Sequence, residues 1–188
     1  MDILTILLII LVAVVVYGFF VYNGLVTAKV RVDQSWKDID IQLKKRYDLL
    51  PDLVETAKKA SALDEKILLE VTRLRAEGLK AAEQGANHAE RGKIEGQISS
   101  MMRDVKVAVE NYPDIKAHGE LSKLMEMVSD IEEKIAYSRQ FYNSNAGDFN
   151  TKILLFPNIV FANLLGFRSA DYFQASEEER KDIKVNLG

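Results

Sequence analysis

The sequence predicts an all-α protein: one N-terminal membrane-spanning helix, then an antiparallel, up-and-down four-helix bundle whose first helix is kinked. Three observations predict it. Ile3–Val21 is a charge-free apolar run of bilayer length. From Val32 onward, apolar residues recur at a helical period of about 3.5, and no stretch shows the sustained alternation of a strand. The helical stretches are joined by short corners, which force successive helices to run antiparallel. The expected organisation is an anchor and juxtamembrane helix over 1–28, a bundle over 29–153, and an apolar closing segment with a polar tail over 154–188.

The anchor reads ILTILLIILVAVVVYGFFV from Ile3 to Val21. At about 1.5 Å per residue it spans roughly 28 Å, close to the hydrocarbon thickness. Tyr17, Phe19, Phe20 and Tyr22 cluster at its C-terminal end, where aromatic side chains favour the membrane–water interface. A cleaved signal peptide is the competing reading, with Val26-Thr27-Ala28 as a weak cleavage site. It is disfavoured because no Lys or Arg precedes the run, and because the run is long for a signal's apolar core. Lys29, Arg31, Lys37, Lys44, Lys45 and Arg46 all follow the anchor. The positive-inside rule therefore expects a single-pass protein of the cytoplasmic membrane, with its N-terminus outside and its helical domain in the cytoplasm.

The first bundle helix carries Trp36, Leu43, Leu50 and Ala57 on one seam position and Val32, Ile39 and Leu53 on the other. Arg46 is the exception on that second position. Pro51 removes one backbone donor and crowds the preceding turn, so a kink or short break is expected near Tyr47–Leu50. A second helix is expected over about 64–84, capped by Ser61 or Asp64, with Ile67, Leu68, Val71, Leu74, Leu79 and Ala82 inward. Gly85-Ala86-Asn87 reads as a turn. A third helix, about 89–111, turns Ile94, Ile98, Met101, Val105 and Val109 inward. Tyr112-Pro113-Asp114 makes a corner, because the residue before proline avoids the helical region. The fourth helix runs from about Pro113 to Ile153 on a stripe of Leu121, Leu124, Val128, Ile131, Ile135, Tyr142 and Phe149.

After Ile153 comes LLFPNIVFANLLGF, apolar but too short to span a bilayer. A short helix is expected near 157–165. Phe156, Ile159, Phe161, Leu164, Leu165 and Phe167 are its candidate membrane or partner contacts. The segment either caps the bundle, enters the bilayer interface or contacts another subunit. If the helices alternate in direction, it finishes at the membrane-proximal end. The tail to Gly188 is polar, with Glu177-Glu178-Glu179.

Net charge is −3 and cysteine is absent. Mixed charge gives no nucleic-acid footprint, and the missing cysteines exclude disulfides, thiol nucleophiles and Cys-ligated metals. His88 and His118 are the only histidines, with no HExxH, and they read as solvated turn residues. Glu132-Glu133 and the Glu177 triplet read as solvated helix faces, with Asp130 and Lys134 at pairing distance along a helix. No serine lies in a nucleophile-elbow pattern, and no phosphate-binding or dinucleotide loop occurs. No cofactor and no metal are expected. Arg46, Tyr47 and Pro51 mark the expected kink. There a freed carbonyl and an arginine would form a ligand or partner site, or Arg46 would pair with a carboxylate on a facing helix. Asn143 and Asn150, seven apart, read as interhelical hydrogen-bond pins.

Several of these segments carry a resemblance. Tyr22-Asn23-Gly24-Leu25-Val26, Trp36-Lys37-Asp38-Ile39-Asp40 and the run Gln42 to Val54 resemble the signature of the LemA family of bacterial membrane proteins. Glu110 to Ala117 is similar to the family's corner before its last long helix. Arg139, Tyr142, Asn143, Phe149 and Asn150 resemble its arginine and repeated aromatic–asparagine pattern, with Phe149 where tyrosine is more usual. Phe156-Pro157 and Gly166-Phe167 resemble its closing segment. The resemblance implies an antiparallel helical bundle on one N-terminal span, without established enzymatic activity. It also brings two associations: neighbourhood with HtpX-type membrane metalloproteases, and a branch in magnetosome membranes. The expected function is a non-enzymatic, membrane-tethered helical scaffold that self-associates and organises membrane-protein partners. The rival is a one-to-one adaptor or modulator of a membrane enzyme such as that metalloprotease. The expected partners are the lipid bilayer and further copies of the chain.

Overall fold

Heptad patterning and helix formers give long helices, and every regular element described in the computed structural model is a helix. It describes residues 2–60, 63–110 and 119–173. Among these are five helices and no strand: α1 (Ile3–Lys59), α2 (Glu65–Glu83), α3 (His88–Glu110), α4 (Gly119–Leu154) and α5 (Asn158–Leu164). The expected cap Ser61, the Tyr112-Pro113-Asp114 corner, His118 and the Glu177 triplet lie outside the described residues.

Of the kink or short break expected near Tyr47–Leu50, the break does not occur: α1 is unbroken through Pro51. A proline costs a helix its bond to the carbonyl four residues back. That carbonyl belongs to Tyr47, and Arg75 of α2 donates its Nε–H to it at 2.7 Å. The orphan acceptor is satisfied from outside and the helix continues. Leu25, Val32, Ile39, Leu43, Leu50 and Leu53 are almost wholly buried along one seam of α1, whereas its large apolar residues from Ile3 to Phe20 are exposed.

The other helices follow the expected stripes with two shifts. In α2 the buried positions are Leu68, Val71, Leu74, Gly78 and Ala81, while Ala82 is exposed and Leu79 half-buried. The shift has a steric cause. A Cβ on Gly78 would lie 2.6 Å from the Tyr47 hydroxyl, so the glycine face of α2 is the one that admits this ring. In α3, Met102 is buried in place of Met101, because the buried face also takes Arg91, Glu95 and Ser99. Asp64 stands at the N-cap of α2 without a side-chain capping bond. Asn87 caps α3 by accepting the Glu90 N–H at 2.8 Å, after a left-handed Gly85 that ends the preceding turn. In α4, Leu121, Val128, Ile135, Tyr142 and Phe149 are buried at intervals of seven.

The chain divides into two compact units, Met1–Asp38 with Gln140–Tyr172, and Ile39–Arg139 with Phe173–Gly188. In the first unit, Trp36 meets Tyr142 edge-on at 5.2 Å between ring centroids, and Phe149 meets Phe167 at 6.4 Å. Past α5 the chain runs without helix through Ala170 and Asp171 and is strapped to α4. Asn150 donates to the Ala170 carbonyl at 2.9 Å and accepts the Ala170 N–H at 2.7 Å, and the Tyr142 hydroxyl donates to the Asp171 carbonyl at 2.7 Å. Asn150 thus pins a non-helical strand of chain. Losing two hydrogen bonds of about 1 kcal/mol each, Asn150→Ala is expected to cost about 1–2 kcal/mol. Hydrogen exchange should show lost protection of the Ala170 amide before any other site changes.

Candidate functional site

Two places concentrate chemistry, one in each unit. In the unit built on Ile39–Arg139, the seam exception Arg46 is fully buried. Its guanidinium forms an ion pair with Glu95 of α3 and another with Glu132 of α4, the latter at 2.7 Å. It also donates to the Ser99 hydroxyl at 2.9 Å, which in turn donates to Glu132 at 2.6 Å. The Tyr47 hydroxyl donates to the second oxygen of Glu95. Arg91 of α3 pairs with Asp40 of α1 at 2.6 Å. One cation therefore binds carboxylates from two other helices, and α1, α3 and α4 share one polar node in an apolar core. Burial alone would lower the Arg46 pKa, but Glu132 and Glu95 outweigh it and raise it, so the arginine is permanently charged. A cleft of about 300 Å³ opens beside Ser99 and Glu132, floored by Met102, Met125 and Val128. No group of three or more acidic, histidine or cysteine side chains able to hold a metal occurs among the described residues.

Tyr47 is raised far above an ordinary phenol, first by burial and then by the Glu95 charge. Burial, with Asp171 and Asp33, pushes Tyr142 up to about 12. Both folded values exceed the unfolded value of about 10. The native state therefore retains protons that the unfolded chain releases. The stabilisation is complete below about pH 10 and is lost as pH rises through the folded values. Urea-unfolding midpoints should fall between about pH 9 and about pH 11. Tyr142→Phe should flatten that fall.

In the other unit, the closing segment packs on α1 at the end of the apolar run. Phe161 lies 5.8 Å from the Tyr17 ring, and Phe167 lies 6.2 Å from Tyr22. Gly18 is the contact point: a Cβ there would come within 2.8 Å of the Phe161 ring. Asn158 accepts a long hydrogen bond from Tyr17 at 3.4 Å. Of the six candidate contact residues, Phe161, Phe167 and Ile159 are half-buried, while Phe156, Leu164 and Leu165 are exposed. The kink residues Arg46 and Tyr47 come together with Glu95; Pro51 is exposed. His88 heads α3, three residues before Arg91. The strap at Ala170 and the polar face of α3 were missed. For the latter a signal existed: Arg91, Glu95 and Ser99 are spaced by four, a polar stripe on one helix face.

The α1 run from Ile3 is long and apolar enough to cross a membrane. A model of the LemA family matches residues 35–187. One similar protein is magnetosome protein MamQ 2 of Paramagnetospirillum magneticum, 25% identical over 175 residues, covering 81% of this chain and 64% of that protein. MamQ of Magnetospirillum gryphiswaldense is 23% identical, with the same shares covered. Protein LemA of Metamycoplasma hominis is 26% identical over 172 residues, covering 89% of this chain and 77% of that protein. The chain thus spans just under two thirds of the length of its magnetosome relatives.

Proposed function

This chain belongs to the LemA family, and we propose that it is a non-enzymatic scaffold, tethered to the cytoplasmic membrane by α1, that self-associates and organises membrane-protein partners. The observation that carries this reading is the continuity of α1. One unbroken helix passes from an exposed apolar run into a buried seam. A span that continues directly into a packed helix holds its domain at the membrane surface, because no flexible linker separates them. The cations after the span orient the domain toward the cytoplasm. On this reading the four long helices form an antiparallel bundle, and the Arg46 node fixes their register. Exposed Ile41, Val107, Met127 and Tyr137 supply apolar contact area for association. Relatives described as magnetosome proteins support a role at a specialised membrane.

The test is the mass of the full-length protein in mild detergent, together with crosslinking in cells. A large homo-oligomer supports the scaffold; a strict monomer in both defeats self-association. A stoichiometric heterodimer recovered from native membranes would favour the adaptor reading, in which the chain modulates one membrane enzyme such as a quality-control metalloprotease.

A further inference from the structure

We propose that Leu154–Leu165 is an interfacial wedge seated in the same bilayer that α1 crosses, so that the protein holds its membrane by two elements. The inference rests on the reading of α1 as a span and names what meets the closing segment. Four observations carry it. First, the segment has two faces. Ala162 is buried and Phe161 packs on Gly18, while Phe156 is 84% exposed and Leu164 is 81% exposed. Leu154, Leu155, Val160 and Leu165 are exposed beside them. Such a density of large apolar side chains on a short surface stretch marks an interaction face.

Second, its place along α1 is fixed. Phe161 and Phe167 touch Tyr17 and Tyr22, in the last turns of the apolar run. Tyrosines at the end of a span mark the interface between hydrocarbon and headgroups. The exposed face of the segment adjoins that level and meets lipid once the span is inserted. Third, no charged residue occurs from Ile153 to Phe167, and Lys152 and Arg168 bracket the stretch. Cations at both ends of a short apolar segment can reach phosphates while the segment between them sits among upper acyl carbons. Fourth, the segment is too short to cross, so its apolar face can only lie within one leaflet.

Lipid is favoured over a second copy because the exposed face is continuous with a surface that lipid must already cover. The absence of native cysteine makes the test clean. Phe156→Cys and Leu164→Cys, each labelled with an environment-sensitive fluorophore, are reconstituted as full chains in phosphatidylcholine–phosphatidylglycerol vesicles. Both sites are exposed, so neither substitution removes core packing. Leu11→Cys reports on the span, and Leu69→Cys, exposed on α2, reports on water. Quenchers are aqueous iodide and spin labels at shallow or deep acyl positions.

The expected result is that the 156 and 164 probes are quenched by the shallow lipid label and shielded from iodide. The 11 probe should respond to the deep label and the 69 probe to iodide. Iodide quenching at 156 and 164 beside a lipid-quenched 11 probe overturns the wedge and leaves the tether standing. Shielding of 156 and 164 from both quenchers means a protein contact and also overturns it. A water-exposed 11 probe overturns the tether and the wedge together.

Discussion

Arg46→Met is expected to destabilise the protein by about 3–5 kcal/mol, a large part of the roughly 5–15 kcal/mol that holds a typical domain folded. Methionine keeps an unbranched, adaptable stem in place of the guanidinium, so lost volume is the smaller part of the loss. The larger part comes from Glu95, which is 1% exposed and has Arg46 as its cationic partner. Without the guanidinium, a carboxylate remains in the core with the Tyr47 hydroxyl as its donor, and the chain must hydrate it or protonate it. Glu132 suffers less, because its side chain is 24% exposed and can turn to water. The same argument predicts a rescue. Buried ion pairs contribute little net stability against apolar isosteres, so removing both charges costs far less than removing one. Arg46→Met with Glu95→Met and Tyr47→Phe removes the Arg46–Glu95 pair together with the hydroxyl bonded to it, keeps Ser99 on Glu132 and Arg91 on Asp40, and should recover most of the loss. Urea denaturation of the single and combined variants in detergent gives the coupling energy directly. A stable Arg46→Met single variant would show that the node does not contribute as described.

What the rescued variant would lack is alignment. A guanidinium that must satisfy carboxylates on α3 and α4 at once fixes how those helices stand against α1, whereas methionine accepts many registers. The proposed scaffold depends on such alignment more than on net stability.

The helices were legible because their periodicity is sustained: the seam from Val32 to Ala57 and the seven-residue repeat from Leu121 to Phe149 have few competing interpretations. Arg46 was legible as an anomaly, since a charge on a seam position must be buried with a partner. Its partners were not, because Glu95 looks like any exposed helix glutamate until α3 is set against α1. Which face of α2 turns inward was decided by Tyr47 fitting over Gly78, a contact between distant stretches that periodicity within one helix does not encode. The mid-helix glycine was the available sign of a close approach. At Pro51 the helix continues for a related reason: the lost backbone donor is real, but Arg75 supplies one to the Tyr47 carbonyl from 28 positions further along the chain. The strap at Ala170–Asp171 has no periodicity and no turn motif, so its dependence on Asn150 and Tyr142 is visible only in three dimensions.

Phe149→Ala is the second large effect, expected at about 3–5 kcal/mol, and it separates holding the closing segment from merely belonging to it. Phe149 is 2% exposed and meets the Phe167 ring, which in turn meets Tyr22 of α1. Truncation empties a site between α4 and the end of the closing segment, and the surrounding side chains can relax only partly into the gap. Phe167 then loses one of its two aromatic neighbours, so limited proteolysis should cleave near Arg168 well below the global unfolding transition. Phe156→Ala removes the same chemical group from the closing segment itself. Because Phe156 is exposed, the folded state loses almost no packing, and the melting temperature in detergent should not move. Phe149→Tyr completes the comparison. The new hydroxyl would be buried, and without an acceptor it should cost about 1–3 kcal/mol. A neutral result would mean that an acceptor already stands within reach of the ring edge.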